Sequence, residues 1–328
     1  METQHNRQYE IRARSLLERS MGPVALVLVF CASATGAIVY FSSSGAPVDA
    51  QTSSTVIATE PDPFAAVSLQ GESAYVLDLS DGHVLYSLNP DTQLPLASMT
   101  KVATVLAVSQ VLTPDSLITI PFDTSPPGSA ERLAAGTTWR LQDVINFTLI
   151  ASSNAGADIL AAAAEDAIRR KYPQATPGSA TLWRMNDIAR QLGLANTYFL
   201  NDNGLDISTT QAGAFGSARD VAKLFAYAAT SAPAIFAGTT QNNMALTSSV
   251  DGSKTSAFNT DLALSAIPGI IMGKTGYTDL AGGNLGIVFD VGPAHPVVAV
   301  VLHSTEDGRF DDMRKIVAAS IAAVSAGR

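Results

Sequence analysis

The 328-residue chain holds a single cysteine, Cys31. That excludes an internal disulfide, and a lone thiol within an apolar run reads as a small buried side chain, not a reagent. Charge is also scarce, at 15% of residues, and unbalanced, with 29 acidic against 20 basic residues and a net charge of -9. A surface of that sign repels phosphate backbones and argues against a nucleic-acid partner. No internal repeat is present. Hydrophobic residues make up 47% of the chain, enough for one sizeable core with an appendage.

Positive charge is missing altogether between Arg19 and Lys101. Arg7, Arg12, Arg14 and Arg19 all precede an uncharged run of 18 residues, Val24 to Phe41. That run is just long enough to cross a bilayer as a helix. The arginine asymmetry puts the amino terminus in the cytoplasm and the remainder outside. A buried core helix would leave the asymmetry unexplained. A cleaved signal peptide is the rival reading, since Val48-Asp49-Ala50 resembles a small-x-small cleavage site. The run is long for a signal's apolar region, which favours an uncleaved anchor, and either reading leaves the globular part extracytoplasmic. Ser42 to Pro63 is rich in Ser, Thr, Ala, Pro and Gln and reads as a flexible tether. The expected organisation is a cytoplasmic tail (1–23), a transmembrane anchor or signal peptide (24–41), a linker (42–63) and a globular domain (64–328).

Within that domain, strands are expected at Ser73–Leu79 and Val84–Leu88, joined by an Asp81-Gly82 hairpin turn with His83 on the surface beside it. Pro95–Ala97 reads as a short extended lead into a helix over Ser98–Leu112. Further helices are expected at Leu141–Ile150, Ala155–Lys171, Leu182–Leu192 and Ala218–Thr230, with a turn at Asn201–Leu205. Three strands follow, at Gly269–Gly276, Asn284–Val291 and Pro296–His303, then a helix over Phe310–Ser325. The last two strands are almost wholly apolar, so both their faces are buried. Strands at both ends with helices between them imply one α+β unit, an antiparallel sheet flanked by helices with a helical insert.

Three short strings carry chemistry: Ser98-Met99-Thr100-Lys101, then Ser152-Ser153-Asn154, then Lys274-Thr275-Gly276. Each alone has an ordinary reading: a helix N-cap with an exposed lysine, a pair of capping residues, a strand ending in a turn. Their ordered conjunction is far more specific. Residues three apart share a helix face, so Lys101 can reach the Ser98 hydroxyl. A serine is a poor nucleophile without a base. Lys101 serves as that base only when uncharged, a state that burial and a second cation, Lys274, would both favour. The helix start would hold an oxyanion. Ser152 is placed to relay a proton and Asn154 to hold a substrate amide. Lys274 and Thr275 can bind a carboxylate, and Gly276 would let a substrate backbone approach its strand.

With these strings, the chain from about Ser73 to Ala323 resembles the D-alanyl-D-alanine carboxypeptidase family, the low-molecular-weight penicillin-binding serine peptidases. Asn203-Gly204-Leu205-Asp206, Ser217-Ala218-Arg219-Asp220, Asn259-Thr260-Asp261 and Arg309-Phe310-Asp311 add to the likeness. The resemblance implies a β-lactamase/transpeptidase-like fold with an all-helical subdomain. It also implies a hydrolase of cell-wall biogenesis that removes the terminal D-alanine from peptidoglycan stem peptides through a Ser98 acyl-enzyme. On that resemblance Lys101 is the general base, and Ser152 with Asn154 completes the relay. Lys274, Thr275 and Gly276 line the carboxylate site, and the Ser98 and Tyr277 N–H groups form the oxyanion hole. Arg309, expected just before the last helix, attracts the terminal carboxylate. β-Lactam antibiotics would acylate the same serine, and no metal or cofactor is implied. Ala155 and Asn203 depart from residues frequent in relatives and bear on substrate preference. Three alternatives use or lose the same site: an endopeptidase, a β-lactamase, and an inactive wall- or penicillin-binding protein. Glu165 is the one glutamate between Asn154 and Lys274, and its helical context does not suit the water-activating role that a class A β-lactamase needs.

Overall fold

The computed structural model describes residues 62–122 and 133–327. The uncharged run Val24–Phe41, Cys31 and nearly all of the expected linker lie outside the described residues.

Strands β1 (Ser73–Asp78) and β2 (Val84–Leu88) form the expected hairpin. Gly82 takes φ of +79° in its turn, a conformation that a Cβ would disfavour. The middle of the chain contributes short strands β3 (Leu94–Pro95), β4 (Leu117–Thr119), β5 (Thr138–Arg140), β6 (Tyr198–Phe199), β7 (Ala214–Gly216), β8 (Asn243–Thr247) and β9 (Lys254–Phe258). Three long strands close the sheet: β10 (Ile270–Thr278), β11 (Gly282–Asp290) and β12 (Pro296–Ser304). The order is β10-β11-β12-β1-β2, antiparallel at every step, so the two ends of the described chain share one sheet.

The helices of nine residues or more are α1 (Lys101–Ser109), α2 (Leu141–Ile150), α3 (Asn154–Lys171), α4 (Ala180–Gln191), α5 (Ala218–Ser231) and α6 (Gly308–Ser325). Strand alternation divides the core in two. Leu285, Ile287, Phe289, Val297, Ala299 and Val301 face α6 and pack on Phe310, Met313 and Ile316. Val288, Val298, Val300 and Leu302 belong to the larger cluster with Val102, Leu106, Val221 and Phe225 from α1 and α5. Each large apolar side chain buried this way contributes about 1.5–3 kcal/mol before the entropy of ordering it. Both faces of β11 and β12 are thus covered, as their composition implied.

Two expectations change. The helix from Ser98 is not one α-helix: a 3₁₀ turn, Ala97–Thr100, precedes α1, which ends at Ser109, short of Pro114. The hairpin β8–β9, unexpected from its weakly apolar strands, turns through Gly252 at φ +75°.

At the far end of β1, Asp78 is 2% exposed and accepts bonds from the Ser80 N–H (2.7 Å) and from His295 Nε2 (2.5 Å). Burial raises its pKa, but the bonds to His295 and Ser80 outweigh that and leave it below the usual carboxylate value. A depressed carboxylate stabilises the fold above its unfolded pKa of about 3.9, and that contribution is lost as pH falls through the native value. Asp78→Asn should cost about 1–2 kcal/mol at pH 7. That corresponds to roughly 2–4 °C in thermal melts, with the gap to wild type closing once pH drops below the native pKa of Asp78.

Candidate active site

In a 3₁₀ turn the side chains of residues i and i+3 eclipse one another. Ser98 is the second residue of such a turn and Lys101 is the residue three on, so Lys101 Nζ lies 2.7 Å from Ser98 Oγ. The tighter winding, not an α-helical face, sets this contact. Ala97 has φ of +49°, a left-handed conformation unusual for a residue with a Cβ. Two glycines permit it. A Cβ on Gly204 would sit 2.0 Å from the Ala97 carbonyl oxygen, and one on Gly276 would sit 2.7 Å from that of Leu96. The space beside Gly276, expected to admit substrate backbone, is therefore filled by the Ser98 turn itself.

Lys101 is fully buried. Besides Ser98, its amine meets Asn154 Oδ1 at 2.8 Å and the Asn203 main-chain oxygen at 2.6 Å. Burial lowers its pKa to about 7, with partial opposition from the Asp158 carboxylate. Nothing in the sequence points to this carboxylate beside the amine. Lys274 donates to Ser152 Oγ at 2.8 Å and to the Thr275 carbonyl at 2.8 Å. The expected relay pair is divided between the two lysines, Asn154 on Lys101 and Ser152 on Lys274. The α2–α3 junction explains the division. Ser152 takes φ of +58°, Ser153 caps α3 by accepting the Gly156 N–H (3.1 Å), and Asn154 opens the helix. Three consecutive side chains therefore have three different partners.

Thr275 Oγ1 lies 2.5 Å from Thr260 Oγ1. Arg309 lies within the first turn of α6, not before the helix, and is 7% exposed. Its Nη1 donates to the Gly276 carbonyl at 2.8 Å, and its guanidinium stands 5.8 Å from the Tyr277 ring centre. Burial lowers its pKa, while Glu306, Asp261 and Asp307 act the other way. Tyr277 is 44% exposed, the rim of the site. Ser98, Lys101, Ser152, Asn154, Lys274 and Gly276 thus converge, with Thr275 and Tyr277 on the same strand as Lys274 and Gly276 and Arg309 reaching that strand from α6.

In the sequence Asn203 belongs to the turn and the string Asn203-Gly204-Leu205-Asp206 and departs from residues frequent in relatives, with no role in the reaction assigned to it. Its backbone oxygen takes a Lys101 proton, while its side chain donates to Asp158 (2.9 Å) and accepts the Leu205 N–H (2.8 Å). A main-chain contact leaves no residue signature; only the turn at Asn201–Leu205 pointed there. Glu165 accepts the N–H groups of Gly178 (2.7 Å) and Ala180 (2.8 Å), which ties down the start of α4.

The arrangement is a hydroxyl beside a weakly basic buried amine, a second hydroxyl held by a second lysine, and a cationic strip able to receive a carboxylate. The model of peptidase family S11, D-alanyl-D-alanine carboxypeptidase, matches residues 56–306, and the chain belongs to that family. It is 31% identical over 177 residues to a D-alanyl-D-alanine endopeptidase of Pseudomonas aeruginosa, covering 52% of each chain. It is 29% identical over 223 residues to the D-alanyl-D-alanine carboxypeptidase DacF of Bacillus subtilis, covering 64% of this chain and 51% of that one. The chain spans about half the length of these curated relatives. The fold is shared with a D-alanyl-D-alanine carboxypeptidase of Mycobacterium tuberculosis (TM-score 0.66, 21% identity, 78% of this chain and 92% of that one). It is also shared with the ampicillin-bound form of penicillin-binding protein D2 from Listeria monocytogenes (TM-score 0.62, 24% identity, 77% and 98%).

Gly204→Ala should displace the Ser98 turn, since its new carbon would overlap the Ala97 carbonyl and its φ of +84° disfavours any side chain. The expected outcome is a loss of about 2 kcal/mol or more in denaturant melts together with slowed acylation by a fluorescent penicillin. Unchanged values of both would show that the turn does not depend on this packing.

Proposed function

We propose that this protein is a serine-type D-alanyl-D-alanine carboxypeptidase that removes the terminal D-alanine from peptidoglycan stem peptides. The observation that carries the reading is the environment of Lys101. A neutral amine has two N–H groups and one lone pair. Asn154 Oδ1 and the Asn203 oxygen are two fixed acceptors for the N–H groups, which leaves the lone pair for the Ser98 hydroxyl. Ser98 Oγ then attacks the carbonyl of the penultimate D-alanine and its proton passes to Lys101. The oxyanion is held by the N–H groups of Ser98 and Tyr277. Ser152, its oxygen engaged by Lys274, passes its O–H proton to the departing amine as the C–N bond breaks and regains one from the Lys101 ammonium, so the proton taken from Ser98 ends on the released D-alanine. Lys274, Thr275 and Arg309 take the terminal carboxylate, where a guanidinium suits both charge and shape. Water then hydrolyses the ester at Ser98.

β-Lactams would acylate the same oxygen, a reading supported by the ampicillin-bound form of the Listeria relative. An endopeptidase acting on crosslinks is the second reading, supported by the Pseudomonas relative named for that activity. The backbone bonds that occupy Glu165 weigh against a class A β-lactamase. The run Val24–Phe41 and its preceding arginines support an amino-terminal membrane anchor with the enzyme on the extracytoplasmic side.

The direct test is release of D-alanine from acetylated D-alanyl-D-alanine, with Ser98→Ala as the inactive control. Cleavage of crosslinked but not linear peptides would favour the endopeptidase, and rapid penicillin turnover the β-lactamase. Penicillin labelling at Ser98 without any peptide cleavage would leave only a binding protein. Because Lys101 must lose its proton to act, the acylation rate should climb as pH rises through about 7 and then level off. A flat profile from about pH 5 to 10 would remove Lys101 as the base. Lys101→Arg, which cannot deprotonate, should slow acylation by roughly 10²–10⁴-fold.

A further inference from the structure

Strand pairing sets Gly273 opposite Ile287, Thr275 opposite Leu285 and Tyr277 opposite Gly283. Ile287 and Leu285 pack on the α6 side, so Gly273, Thr275 and Tyr277 share that face of β10. A buried charge lies at each end of this row. A Cβ on Gly273 would be 3.7 Å from Asp261 Oδ2, and one on Gly283 would be 3.3 Å from Arg309 Cδ. Thr275 stands between them, its hydroxyl joined to Thr260, the residue before Asp261.

Asp261 is 5% exposed, and no step of the proposed reaction uses it. Its Oδ1 accepts the Ala263 N–H at 2.9 Å, while its Oδ2 and Arg309 Nε are both buried without a hydrogen-bond partner. Burial raises the Asp261 pKa, and Arg309, Lys274 and Arg314 oppose the rise. Arg314 already pairs with Asp311 at 2.6 Å, so Arg309 and Lys274 are the cations that Asp261 shares with an incoming ligand.

We propose that Asp261 is a specificity-determining residue, an ionised carboxylate that offsets part of the Lys274 and Arg309 charge and so limits how tightly the site grips a peptide ending in a carboxylate. The inference rests on the peptidase reading above and concerns the same site. Its effect is confined to charged ligand ends. A buried anion repels another across a low-dielectric gap but does little to a neutral carboxamide. It also keeps the released amino acid, itself a carboxylate, from occupying the site.

The test uses the full chain with acetylated D-alanyl-D-alanine and its terminal carboxamide, each competing against a fluorescent penicillin. In Asp261→Asn, the acid should compete about tenfold more strongly while the carboxamide is unchanged. Equal shifts for both ligands, or no shift for either, would overturn the proposal. Asp261→Ser gives the same readout if the asparagine variant does not fold. Labelled wild-type Ser98 with an unaltered acid-to-amide ratio overturns the role of Asp261 alone, whereas wild-type protein that the penicillin never labels removes the peptidase reading and this inference with it.

Discussion

The withdrawal of one amine from water is the constraint on which the rest of the structure depends. An ammonium ion without solvent loses several kcal/mol of hydration, and at Lys101 that loss brings the pKa to about 7. Burial alone would leave the amine's protons unmatched, which is costly in itself. Three separate pieces of chain supply the partners: the 3₁₀ turn with the Ser98 hydroxyl, the start of α3 with Asn154 Oδ1, and the Asn201–Leu205 turn with the Asn203 oxygen. Asp158 reaches the same place indirectly, by fixing the Asn203 side chain. The sheet and the helices can be read as the frame that brings these pieces to one point.

Maintaining that frame costs conformational energy locally. Among the described residues, five other than glycine have positive φ, and two of them, Ala97 and Ser152, adjoin or form the reactive group. Such residues cost on the order of 1–3 kcal/mol each and persist only where their surroundings hold them. Around Ala97 the holding is steric, through the absent side chains of Gly204 and Gly276. At Ser152 it comes from the junction of two buried helices and the bond from Lys274.

Much of this was legible in the sequence, and what was not has physical reasons. Val84–Leu88 and Leu141–Ile150 appear with the bounds that periodicity predicts, because their apolar spacing and their packing agree. That one antiparallel sheet draws strands from both ends of the domain was legible too, while the order of those strands was not. The three motifs named most of the residues that converge. They did not reveal that Ser152 would turn to Lys274, because that depends on a left-handed residue between two helices. The turn at Asp251-Gly252 carries the same signal as Asp81-Gly82, but the strands it joins are too weakly apolar to show the alternation that marks a hairpin. Asn203 acts through its backbone and was invisible in principle. The burial of Arg309 has no sign in the sequence because charge alone says nothing about burial, and Asp261 shows its isolation only once the chain is folded.

The place of β10 in the sheet has a consequence of its own. It is the terminal strand, hydrogen-bonded to β11 along one side, and it carries Lys274, Thr275 and Gly276. On the other side the Gly273 N–H already donates to Thr239 Oγ1 and the Thr275 carbonyl accepts from Lys274, so a chain laid alongside pairs with the main-chain groups toward Tyr277. A ligand docked in this manner is recognised by its peptide groups, whatever side chains it bears. Under the reaction proposed above, discrimination would then rest on handedness at the scissile bond and on the charge just beyond it, with variety tolerated upstream.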